Sequence, residues 1–224
     1  MKLFSMAAAA ALAFAFAVGL APARADEDIS DLLHQATRTA EHMNRDPAFA
    51  QARHMLRDAR AVLIVPRLVK GGFIFGGEGG DGVLMAHNRK GWSSPAFYTF
   101  GGASFGFQAG LEEAEIVLLI MSDRALRAVE REKFQFGAGA GLTVVTLSSG
   151  AAGATSPNLS GDIIVWTSAT GAYGGLTLNG TVIAPRNEWN EDFYNHPVTV
   201  PQILSGRVRN PQANALREEI SSVW

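Results

Sequence analysis

From Ala61 onward the chain consists of short β-branched and aromatic runs separated by glycine clusters, and this texture restricts the fold more than any other feature. Such runs, bounded by Gly, read as strands. Consecutive short strands joined at glycines favour an antiparallel, strongly curved sheet over alternating strand–helix units. Ala61–Val65 reads as a buried strand stopped by Pro66. Further strands are expected at Gly72–Phe75, Gly82–His87, Ala96–Phe100, Ser104–Gly110 and Glu115–Met121. Phe134–Leu147, Asp162–Ser168, Tyr173–Leu178 and Thr181–Pro185 complete the set. A helix is expected at Asp123–Glu132, with short helices at Val200–Leu204 and Pro211–Ser222, the last capped by Asn210. Gly150–Ser160 reads as a mobile surface loop.

Ahead of the strands, residues 26–59 read as two helices. Ile29, Leu32, Leu33, Ala36, Ala40 and Met43 recur at three- and four-residue spacing and form one apolar face. Asp46-Pro47 restarts the pattern, with Asp46 as N-cap and Pro47 at the first helical position. The expected class is therefore α+β and β-dominated: N-terminal helices packed on a highly curved, barrel-like antiparallel sheet that closes or nearly closes.

Residues 1–25 read as a cleaved signal peptide. Lys2 gives the positive start, Ala7–Leu20 the apolar run, and Ala23-Arg24-Ala25 the small-residue cleavage site. Cleavage removes Lys2 and Arg24, shifts the net charge from −2 to −4, and leaves residues 26–224 as one expected domain. A mildly acidic chain argues against nucleic acid as partner. The absence of Cys removes disulfide scaffolds, thiol chemistry and Cys-based metal sites. The expected setting is periplasmic or secreted.

Two motifs tempt an enzymatic reading. Gly77-Glu78-Gly79-Gly80-Asp81-Gly82 matches the dinucleotide fingerprint, but a strand, Val83–Ala86, follows where the mechanism needs a helix. A glycine-rich β-turn with close backbone packing is expected instead. Gly102-Ala103-Ser104-Phe105-Gly106 matches a nucleophile elbow, with Asp162 and His196 in hydrolase order. Its flanks are too glycine-rich for the required strand–turn–helix. The five His (His34, His42, His54, His87 and His196) show no metal-ligand spacing. No catalytic residue, metal or cofactor is expected.

What remains is a local basic excess. Arg53, Arg57, Arg60, Arg67, Lys70, Arg89 and Lys90 face only Asp58, Glu78 and Asp81 in this stretch. Arg60, Arg67, Lys70, Arg89 and Lys90 are the candidate phosphate-headgroup ligands, with Phe73, Phe75 and Trp92 near in sequence. A solvated helix face with hairpin charges is the plainer alternative.

Several ordered motifs carry a resemblance. Val65-Pro66-Arg67-Leu68-Val69-Lys70-Gly71-Gly72-Phe73 leads into Gly79-Gly80-Asp81-Gly82, Gly91-Trp92-Ser93-Ser94-Pro95 and Gly101-Gly102-Ala103-Ser104. Tyr173-Gly174-Gly175-Leu176 and Asn190-Glu191-Asp192-Phe193-Tyr194 follow. Over about residues 27–207 the chain resembles the SYLF domain, a lipid-binding module. The resemblance implies phospholipid binding, with Lys70 where the family carries a basic, membrane-facing motif and Arg67 as its neighbour. Some eukaryotic members bind actin, which an exported protein does not meet, so no actin partner is expected. Asn195 stands where the family often has Gly after Phe-Tyr, an expected change in one turn.

The functional expectation is non-catalytic binding of anionic phospholipid at an envelope membrane surface. A structural or protein-interaction role is the alternative, and a serine hydrolase using Ser104 a more distant one.

Overall fold

The computed structural model describes residues 21–46, 53–72, 75–105, 110–131, 133–136, 142–148, 161–170 and 180–222. In chain order the elements are α1 (Ala21–Arg45), α2 (Arg53–Asp58), β1 (Ala61–Gly72), β2 (Phe75–Asn88), β3 (Gly91–Trp92), β4 (Ala96–Phe105) and β5 (Gly110–Ile120). Then come α3 (Asp123–Val129), β6 (Phe134–Gln135), β7 (Val144–Ser148), β8 (Ile163–Thr170), β9 (Val182–Pro185) and α4 (Asn187–Tyr194). The described chain finishes with α5 (Val200–Leu204), a 3-10 turn at Pro211–Ala213 and α6 (Asn214–Ser221).

The strands form one curled sheet in the order β6-β9-β4-β2-β1-β5-β8-β7, with β3 paired to β2. All described pairings are antiparallel except β7 with β8, which is parallel. The path is a half-barrel: among the described residues no pairing joins β6 to β7. Ala61–Val65, Ile116–Ile120 and Ile163–Thr167 are buried without interruption. Because successive strand residues point to opposite faces, both faces of the sheet are covered there.

Pro66 does not stop the first strand. β1 pairs Ile64 with Val83 and next Val69 with Gly79 on one side, and Val65 with Ile116 and next Leu68 with Ala114 on the other. It therefore carries one extra residue against each neighbour. This is a β-bulge, the setting in which a residue without an N–H is tolerated in a central strand. Gly76–Gly82 runs within β2 and is not the expected turn, although the close backbone packing is there. A Cβ on Gly80 would lie 2.5 Å from the Arg67 carbonyl oxygen, and one on Gly82 2.7 Å from that of Ile64.

α1 lies across β1 and β2 and also packs on α4 and α6. Its six apolar positions from Ile29 to Met43 are all buried. Thr39 Oγ1 donates to Glu115 Oε1 on β5 at 2.7 Å, and the other oxygen of that carboxylate bonds His42 Nδ1. Asp46, expected as a helix cap, is buried, and its Oδ2 accepts the Trp166 indole N–H at 3.1 Å. The expected start of the second helix falls in residues 47–52, outside the described residues, as do Gly150–Ser160 and Tyr173–Leu178. Ala96–Phe100 and the start of Ser104–Gly110 merge into one strand, β4.

Candidate functional site

The antiparallel register separates the five candidate cations. Ala61 stands opposite Ala86, and the His87 N–H donates to the Arg60 carbonyl at 2.8 Å, so Arg60 lies beside the β2–β3 turn that carries Arg89 and Lys90. Arg67 and Lys70 lie farther along β1. At about 3.3 Å per residue, Lys70 is roughly 30 Å from Arg60, several Debye lengths away. The structure therefore forms two groups and not one patch.

Two of the five pair with acids from distant parts of the chain. Arg60 Nε pairs with Asp123 Oδ1 at 3.1 Å, and Arg67 pairs with Glu113. The Arg67–Glu113 hydrogen bond, aided by their opposite charges, raises the guanidinium pKa and lowers that of the carboxyl. Lys70 stands opposite Glu78 on β2 and Glu112 on β5. The acids on β5 and α3 are more than 40 positions away in sequence, so local charge counting misses them.

Arg89 and Lys90 instead gain basic company. Asn88 Nδ2 donates to the Leu204 carbonyl at 3.5 Å, and a Cβ on Gly206 would lie 3.2 Å from that same nitrogen. Gly206 adopts φ +72°, and its left-handed backbone follows α5 where the chain folds back on the β2–β3 turn. Arg207 and Arg209, both exposed, follow at once. Arg217 on α6 donates through Nε to the Trp92 carbonyl at 3.1 Å. Cations from three separate segments thus surround one turn. Among the described residues Arg89, Lys90, Arg207 and Arg209 form no ion pair. Desolvation first, and then the Arg60 charge, lower the His87 pKa from 6.5. Arg207-Val208-Arg209 was visible as a basic pair, but nothing in the sequence placed it beside Arg89.

Among the described residues the nucleophile-elbow reading finds no support. β4 runs through Ser104 to Phe105, and the next described element is another strand, so the strand–turn–helix of an elbow is missing. Asp162 serves as a structural tie, accepting from Ser122 Oγ at 2.6 Å, Arg124 at 2.7 Å and the Thr143 N–H at 3.1 Å. These contacts, the Ser122 bond foremost, hold its carboxyl below the usual range. His196 is exposed and contacts the Pro197 carbonyl. Among the described residues no three His, Asp or Glu side chains gather in a metal-binding arrangement.

Comparison with known proteins gives a consistent answer. Residues 101–223 match the family described as "Ysc84: Las17-binding protein actin regulator". Protein YSC84 of Saccharomyces cerevisiae is 30% identical over 164 residues, covering 71% of this chain and 35% of that protein. LAS seventeen-binding protein 3 of the same yeast is 29% identical over 163 residues, with the same coverage. SH3 domain-containing YSC84-like protein 1 of Homo sapiens is 30% identical over 179 residues, 75% of this chain and 50% of that protein. The chain thus spans from about a third to half of the length of these relatives. With more than half of its length matched by the family and the expected curled sheet in place, the chain belongs to the Ysc84 (SYLF) family.

Proposed function

We propose that this domain binds anionic phospholipid headgroups at a membrane surface, without catalysis, and that it does so in the cell envelope as an exported, peripheral protein. The observation that carries the reading is the set of exposed cations around the β2–β3 turn: Arg89 and Lys90 beside Arg207 and Arg209. Arg60 borders this set. Arg67 and Lys70 form a separate group farther along β1 and make at most a second, weaker contact.

The expected strength is modest. A Lys or Arg near an anionic membrane contributes about 1 kcal/mol, so four supply ~4 kcal/mol and the attraction fades with salt. The test is charge reversal. Arg89→Glu with Lys90→Glu is expected to weaken binding to anionic vesicles by at least ~30-fold with an unchanged circular dichroism spectrum. Arg67→Ala with Lys70→Ala is expected to lose much less. Equal binding by the charge-reversed pair and the parent would overturn the site assignment.

A further inference from the structure

A cleft of about 450 Å³ opens between the N-terminal half of α1, the β1 bulge and the start of α4. Its floor is bare backbone at Gly79 and Gly80 of β2. A side chain on Gly80 would run into the Arg67 carbonyl at 2.5 Å, so the two strands approach there as closely as glycine permits. The bulge at Pro66 puts Arg67 on one wall, a recognised use of bulges, which re-aim side chains toward sites.

On the opposite wall Arg186 NH1 meets Asp81 Oδ1 at 2.8 Å, and its guanidinium carbon lies 3.4 Å from the centre of the Trp189 ring. Stacking and pairing together fix that guanidinium in place. The third side is the exposed face of α1, where Asp28 and Asp31 stand three residues apart. Among the described residues neither carboxylate has an ion-pair partner.

The charges therefore divide in two. Asp28 and Asp31 ask for a cation. Arg67 and Arg186 each offer one terminal nitrogen to a carboxylate and retain further N–H donors in a planar fork suited to phosphate. A lone anion would meet repulsion from Asp28 and Asp31, and a lone cation would leave the remaining guanidinium N–H donors unused, since Glu113 and Asp81 already offset the charges of the two arginines. A small group carrying both charges satisfies each wall, and the volume lies in the range of small-molecule sites.

We propose that this cleft binds the phosphoethanolamine group, either free or as a lipid headgroup, with its ammonium on Asp28 and Asp31 and its phosphate on Arg186 and Arg67. The site is distinct from the cations at the β2–β3 turn and takes a different headgroup, so it stands or falls independently of the anionic-surface reading.

Calorimetric titration of the purified protein with phosphoethanolamine, ethanolamine, inorganic phosphate and phosphocholine tests it. Phosphoethanolamine is expected to bind at least about tenfold more tightly than each of the others, because phosphocholine cannot donate hydrogen bonds from its cation. Asp28→Asn with Asp31→Asn, both on an exposed helix face, is expected to weaken that binding about tenfold or more while the melting temperature is unchanged. No saturable heat up to ~10 mM, equal binding of ethanolamine or phosphate alone, or unchanged binding by the double variant would overturn the proposal. Sedimentation at high salt with phosphatidylethanolamine–phosphatidylcholine vesicles, against phosphatidylcholine alone, separates the sources. Preference for the mixed vesicles assigns the headgroup, and binding of the free compound without it assigns a soluble ligand.

Discussion

Asn195 has a left-handed backbone, φ 56° and ψ 25°, directly after α4. Its N–H closes the helix onto the Asp192 carbonyl at 3.2 Å. Among residues that carry a side chain, Asn enters this region at least cost, so it closes α4 without a glycine. Asn195→Gly is therefore expected to change stability by no more than about 0.5 kcal/mol, whereas Asn195→Ala is expected to cost about 1 kcal/mol. Urea denaturation checks both: a midpoint for the Ala variant equal to that of the parent would contradict the conformational argument. The candidate cations give the complementary residue-scale lesson. Lys70 and Arg67 were legible as basic residues, but the Glu113 partner of Arg67 and the Glu112 position opposite Lys70 come from strand pairing, which a linear reading does not contain.

At the scale of elements, α1 was legible because its apolar stripe repeats with the helical period over four turns. α4 was missed because it is only eight residues long and one of its buried positions is polar. That residue, Asn190, acts as a strand substitute: its Oδ1 accepts the Phe97 N–H at 2.8 Å and its Nδ2 donates to the Phe97 carbonyl at 3.4 Å. Phe97 also packs edge-on against Phe193, with ring centres 5.0 Å apart. The family motif from Asn190 to Tyr194 thus reads as the clamp that fixes α4 to β4. Asn190→Ala leaves a buried N–H unpaired and is expected to cost about 1–3 kcal/mol, read as a lower urea midpoint. No loss would show that the clamp contributes nothing. The run of β1 past Pro66 was illegible for a related reason. A proline ends a strand or marks a bulge according to what its neighbours can absorb, and both β2 and β5 accommodate the extra residue.

Across the whole molecule, buried polar groups set the alkaline limit. The Tyr98 hydroxyl donates to the Val129 carbonyl at 3.2 Å and that of Tyr194 to Pro95 at 2.8 Å. Burial foremost raises both phenol pKa values above the ordinary 10. The unfolded chain then loses these protons first. Stability from the two tyrosines is fully present below about pH 10 and declines as pH rises above it toward the elevated folded values. Unfolding midpoints followed from pH 8 to 11 are expected to hold and then fall, together with tyrosinate absorbance. Tyrosinate forming at more than one of the chain's three tyrosines without unfolding would contradict this.

Charge is distributed at the same scale. A chain with a net charge of −2 gathers Arg89, Lys90, Arg207 and Arg209 around one turn, because the packing of Gly206 on Asn88 joins segments more than a hundred residues apart. That local excess matters at a membrane even though the total is acidic, since each charge is felt over only about 8–10 Å. The most direct measurement is co-sedimentation of the protein with zwitterionic and anionic liposomes at low and high salt. Binding that requires anionic lipid, fades with salt and is lost on Arg89→Glu with Lys90→Glu is the expected result. Absence of binding to anionic vesicles at low salt would contradict it.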